Sequence, residues 1–340
     1  MEVEKCGDEP GSMHKVFVLL RVTNLKKLIQ DATLMQLTQA KGWLCGLGAA
    51  LCYGFIPYFT VPLKAVGLEN PSILFYRFAI AAVVVGILMR LKGVSFRVTR
   101  GEMVTLTYLA FISDGSALFL IESYSYMSTG VATTLHFLYP VVTTLIMISF
   151  YHEARRWTTF VAVGMAVSGV AVLSWHGGES LSLRGVIIAV VSAVCYALYI
   201  IRVNRSRAQY MPGIKVVFYV MAIGSLIFLA DALRTGAVQP LTDGAEWGRV
   251  GALALVCTVA TNLMLVASVK RIGSTLTSII GALEPLTAVV VGCVALGEPF
   301  TASVAGGLVL IIPAIVLIIL TRGRTPQPST SHTASLEKTT

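Results

Sequence analysis

The sequence predicts an all-α, polytopic membrane protein of ten transmembrane helices in two five-helix inverted repeats. Three observations predict it. Of 340 residues, 56% are hydrophobic and 13% are charged, about half the charged share of a soluble domain. The apolar residues run in blocks long enough to cross a bilayer, which takes about 20 residues in a helix. The second half of the chain also repeats the first in order and spacing.

Within lipid a segment must satisfy its own backbone hydrogen bonds, so each block is read as a helix. A transmembrane β-barrel would alternate polar and apolar residues, and no such alternation occurs. The expected spans are Trp43–Leu63, Pro71–Leu91, Met103–Glu122, Ser128–Phe150, Trp157–Trp175, Gly185–Val203, Gly213–Leu233, Arg249–Ser268, Ser274–Leu296 and Thr301–Thr321. Asn70-Pro71 is a helix-start signal, and Gly177-Gly178 marks a turn. The chain thus divides into an N-terminal segment (1–42), a first five-helix repeat (43–175), a second (185–321) and a polar, Ser/Thr-rich tail (322–340) expected to be disordered. Val16–Gln30 reads either as a basic amphipathic helix on the membrane surface or as sequence upstream of a start at Met13 or Met35.

The net charge of +9 does not imply nucleic acid, because the basic residues sit at the ends of apolar blocks. Counted by alternate loops, one side carries Arg90, Lys92, Arg97, Arg100, Arg155, Arg156, Arg202, Arg205, Arg207, Lys215, Lys270 and Arg271. The other carries Lys64, Arg184, Arg234 and Arg249. The positive-inside rule makes the rich side, with both termini, cytoplasmic. The expected location is the cell membrane, the bacterial inner membrane in particular. Five of the six cysteines lie in apolar blocks without a Cys-x-x-Cys pair and read as small hydrophobes.

The repeat is seen by placing Pro140 on Pro285, an offset of 145. Leu138 then falls on Leu283, Ser123 on Ser268 and Glu153 on Glu298. A nearby offset of 143 places Cys52-Tyr53 on Cys195-Tyr196. With five spans per half, the second half enters the membrane from the opposite side. Such inverted repeats suit a central site opened to each face in turn.

Ionisable groups inside the hydrocarbon are costly and usually face a cavity or a partner. Glu284, mid-way along the ninth span, shares a helix face with Ser274, Thr277, Gly281 and Ala288. The equivalent face of the fourth span holds Thr129, Ala132, His136, Tyr139 and Thr143. Each face adjoins a proline, Pro140 or Pro285, which frees a carbonyl and interrupts the helix. The two stripes are expected to meet across a cavity; the competing reading is that small residues there merely permit close packing. Arg77 reads as an anion binder, as a partner of Glu122 or Asp114, or as a side chain snorkelling outward. Asp114 reads as a proton carrier coupling transport to a gradient, or as a hydrogen-bonded buried acid. Glu284 is a second coupling candidate. Tyr53 and Tyr196 line the cavity or pack the core. No Walker-type phosphate loop, His-Glu-x-x-His pair or Gly-x-Ser-x-Gly elbow is present, so neither cofactor, metal site nor catalytic residue is expected.

Two stretches carry a family resemblance. One runs from Tyr126-Met-Ser-Thr-Gly-Val-Ala-Thr-Thr-Leu through Pro140 to Glu153. The other runs from Arg271-Ile-Gly-Ser-Thr-Leu-Thr-Ser through Leu283-Glu284-Pro285 to Gly297-Glu298. They resemble the EamA-type exporters of the drug/metabolite transporter superfamily over about Gly42 to Leu320. Arg77 matches the family's second-helix arginine; His152-Glu153 departs from its usual Gly-Glu. The resemblance implies gradient-linked movement of amino acids, metabolites or toxic compounds, usually outward, through a cavity lined by spans one, three, four, six, eight and nine. The expected partners are a small-molecule substrate, membrane lipid and a proton or other coupling ion, for a chain acting as monomer or homodimer. A membrane enzyme acting on a lipid-linked substrate and a transporter-like sensor are the alternatives. The first would cluster its polar residues at one membrane surface, and the second would need a soluble output domain.

Overall fold

The computed structural model describes residues 37–123, 126, 135–153, 157–173, 182–236, 238–281, 283–295 and 302–322. The amphipathic-helix expectation at Val16–Gln30 and the tail from 323 lie outside the described residues. Helices form α1 (Leu37–Ala65), α2 (Asn70–Leu91), α3 (Arg100–Ser123), α4 (Tyr139–Ser149), α5 (Trp157–Leu173), α6 (Leu183–Arg205), α7 (Gly213–Thr235), α8 (Gly244–Ile272), α9 (Ser274–Ile280), α10 (Leu283–Ala295) and α11 (Ala302–Arg322). No strand occurs among the described residues.

Six helices, α1, α2, α3, α6, α7 and α8, are long and apolar enough to cross a membrane among the described residues. Their lipid-facing sides stay apolar: Val83, Ile87, Val104, Phe111, Ile187 and Leu226 are all exposed. Without a hydrophobic drive between helices in lipid, close packing through small residues holds the bundle together. Ala81, Ala110, Ala166, Ala189, Ala193 and Ala197 are accordingly buried.

The helix starts follow local chemistry. Asn70-Pro71 opens α2 with proline in the first turn, where its missing N–H is no loss. Asp243 and Glu246 form a reciprocal capping box at the start of α8. Gly273 turns α8 into α9 at φ 86°, a conformation few side chains tolerate.

The closest packing joins the two halves of the chain: α2 lies along α7, α3 along α6, and α5 along α11. Loops cluster at opposite ends. At one end Lys215 donates to the Arg97 carbonyl, Tyr219 to the Phe96 carbonyl, and Lys270 to the carbonyls of Ala208 and Met211. At the other, Gln239 ties the α7–α8 connection to Gly67, Glu69, Ser72 and Tyr76. Among the described residues, the basic-rich segments around Arg97, Lys215 and Lys270 therefore meet at one end, and two of the basic-poor connections meet at the other. Cys45, Cys52, Cys195 and Cys257 are free thiols.

Candidate functional site

The central site begins with two interrupted helices. Turn residues Phe137 and Leu138 precede α4, and Gly281 separates α9 from α10. Pro140 and Pro285 do not sit in mid-helix as the sequence reading had them. Each lies in the first turn of the helix that follows its break, where early N–H groups lack intrahelical partners and proline costs little. The interruption thus falls a few residues before each proline. It leaves Tyr139 and Glu284 at the head of a new helical segment in each half.

Around these heads a small cavity of about 10 Å³ is lined by Gly46, Ala49, Ala50, Tyr53, Tyr139, Tyr196, Ile200, Leu265, Thr277, Gly281 and Glu284. That is room for about one water molecule, so the site is narrow in this conformation. Of the predicted residues, Tyr53, Tyr139, Tyr196, Thr277 and Glu284 are brought together here. Tyr53 and Tyr196, for which lining and packing were both open, do both. Tyr139 and Tyr196 meet edge-on, with ring centroids 4.7 Å apart at 88°. The polar stripes meet directly: a β-carbon at Gly281 would lie 1.8 Å from the Tyr139 hydroxyl. Thr129 and Ala132 lie outside the described residues, and Thr143 is buried.

His136 is not among the residues lining this small cavity. Its Nδ1 lies 2.9 Å from the Ser192 hydroxyl, and its ring packs against Tyr139 and Tyr196 at 5.7 and 5.5 Å. It supports the aromatic wall from behind. Ser192 in turn donates to the Ser116 carbonyl at 2.6 Å, while Ser116 donates back to the Ser192 carbonyl at 3.0 Å. This exchange clamps α3 to α6 beside the site.

Arg77 is also repositioned. It makes no ion pair with Asp114 or Glu122 among the described residues. Its Nε donates to the Thr258 hydroxyl at 2.5 Å and its Nη2 to the Cys257 carbonyl at 3.1 Å. Those acceptors belong to a π-helical segment of α8, Leu255–Ala260. There the i→i+5 register leaves carbonyls short of partners. Thr258 and Thr261 donate five residues back, to Leu253 and Val256. Asn262 donates to the Thr258 carbonyl at 2.9 Å and receives the Tyr53 hydroxyl at 3.5 Å. A polar chain therefore leads from the cavity wall through Asn262 and Thr258 to Arg77.

Asp114 lies outside the cavity, buried where α3 meets α2 and α7. No group of three or more metal-ligating side chains occurs among the described residues. Asn262, Thr258, Ser192 and Ser116 were missed from sequence, where each is an ordinary small polar residue in an apolar helix. The run Thr258, Thr261 and Asn262 in one expected span is the signal that could have marked them.

Interrupted helices converge on a small polar cavity inside a bundle of long apolar helices, an arrangement that suits a membrane transport protein. The chain belongs to the EamA-like transporter family, which it matches over residues 40–175 and 183–320. It is 25% identical to the threonine/homoserine exporter RhtA of Escherichia coli K12 over 298 residues, covering 86% of this chain and 88% of that one. It is 27% identical to the uncharacterized transporter sll1319 of Synechocystis over 207 residues, and 28% identical to RhtA of Salmonella typhimurium SL1344 over 203. These two matches span 61% and 65% of the relatives' length, each covering 58% of this chain. A solved crystal structure shares the fold with a TM-score of 0.71 at 19% identity, covering 83% of this chain and 98% of the other.

Proposed function

We propose that the chain is a secondary transporter that exports small zwitterionic metabolites, amino acids in the first place, across the bacterial inner membrane by alternating access. Both termini lie in the cytoplasm. The observation that carries this reading is the Glu284 residue in the wall of a small cavity that tyrosines from both halves also line. Away from bulk water a carboxylate attracts a substrate ammonium more strongly than in water. The Tyr53 and Tyr139 hydroxyls suit the substrate's carboxylate.

Three further features support the reading. Span two packs on span seven and span five on span ten, each against its own repeat equivalent, as a two-fold relation between inverted halves requires. The basic-rich loops share one end of the bundle, as the cytoplasmic assignment requires. The export of threonine and homoserine in the name of the RhtA relatives fits a zwitterion site.

The test is a thermal-shift screen of purified protein against amino acids, nucleosides, vitamins and small cations, with ligand flux then measured in liposomes. A ligand that binds the folded state raises its apparent stability. The expected result is an amino-acid shift and flux in the wild type, both lost in Glu284→Gln while melting without ligand is unchanged. Undiminished flux in Glu284→Gln would remove the proposed site.

A further inference from the structure

Asp114 occupies a site of its own. The residue is 1% exposed, and neither carboxyl oxygen has a hydrogen-bond partner. The space it fills is left by a glycine: a β-carbon at Gly224 of α7 would stand 2.8 and 2.9 Å from its two oxygens and 2.8 Å from the Phe78 ring of α2. An unpaired carboxylate cannot persist in such surroundings, because its desolvation is uncompensated. A neutral carboxylic acid can.

The groups around it bear this out. From α7 comes Gly224 and from α2 the Phe78 ring. Arg77, the neighbouring residue on α2, is held by Thr258 and Cys257 instead. No charged side chain of α2, α6 or α7 reaches the carboxyl. Tyr199 of α6, a helix packed along α3, also has a fully buried hydroxyl without a partner. The Tyr199 ring stacks on Tyr196 at 6.2 Å and 26°, and Tyr196 forms part of the cavity wall.

We propose that Asp114 is a proton-binding site distinct from the central cavity, occupied in this conformation and exchanging its proton with water when α2, α3 and α7 move apart. An O–H bond forms on the carboxyl on one side of the membrane and breaks on the other, with no change of oxidation state. The inference rests on the transporter reading and deepens it by naming the coupling ion and its carrier. The cavity acid Glu284 is left free to serve the substrate.

Infrared spectroscopy of the purified chain in lipid vesicles tests it. The expected result at neutral pH is the C=O stretch of a protonated carboxylic acid that shifts in D2O, disappears reversibly as pH rises, and is missing from Asp114→Asn. Glu284→Gln should retain the band, so loss of the substrate site and loss of the proton site give different results. The proposal is overturned if wild type and Asp114→Asn give the same spectrum. It is equally overturned if the band never exchanges while the protein stays folded, since that would be a sealed structural acid.

Discussion

The Tyr139 hydroxyl occupies the space that a side chain on Gly281 would need, with 1.8 Å between that oxygen and the position of a β-carbon. The two residues stand at the two helix interruptions, one in each half of the chain. Their contact is where the repeats close on each other at the cavity.

A single methyl group should therefore hold the site apart. Gly281→Ala is expected to reduce flux severely while the protein still inserts, because the tyrosine must swing away. Removing the hydroxyl relieves the worst of the clash: the Ser278 carbonyl oxygen and the next atom of the Tyr139 ring then remain, 3.0 and 3.1 Å from the added carbon, so the relief is partial. The double variant Gly281→Ala with Tyr139→Phe should recover part of the flux lost in Gly281→Ala alone. A double variant no better than the single one would show that the contact does not govern closure.

Arg77 is expected to act chiefly through α8. Arg77→Ala removes the bonds to Thr258 and Cys257, and hydrogen bonds to charged groups contribute roughly 1.5–3 kcal/mol each. A loss of about 2–4 kcal/mol on thermal or denaturant unfolding in detergent is expected once the remaining groups relax. Arg77→Lys should recover little of it, because one ammonium cannot reproduce the forked donor geometry. Wild-type melting in Arg77→Ala would detach the π segment from this residue.

Single cysteines should report orientation, on a background from which the native thiols have been removed. A cysteine at Arg97, in the cluster with Lys215, should be protected from impermeant thiol reagents in intact cells. A cysteine at Lys64, beside the opposite cluster, should be labelled. Equal labelling at both positions would refute the cytoplasmic assignment.

Much of the architecture was legible in the chain because it follows from local thermodynamics. Runs of apolar residues must form helices in lipid, and Asn70-Pro71 and Gly273 mark boundaries by backbone chemistry alone. The match of Pro140 with Pro285 located the paired interruptions to within a few residues. The site was less legible. Thr277, Tyr139 and Glu284 were found because a polar stripe stands out on an apolar helix. Asn262 and Thr258 were passed over because nothing nearby in sequence says which of many small polar residues faces inward.

What the sequence determined by itself is an apolar, two-repeat helical bundle with an acid and two prolines at matching depths. Hydropathy, charge distribution and backbone chemistry act over a few residues and can be read along the chain. Tertiary structure alone decided that His136 stands behind the wall and that Arg77 serves the π segment of α8. It also decided that Asp114 is buried against Gly224 and that the cavity has room for about one water molecule. These depend on which side chains meet across helices far apart in sequence, and on shape complementarity to within an ångström.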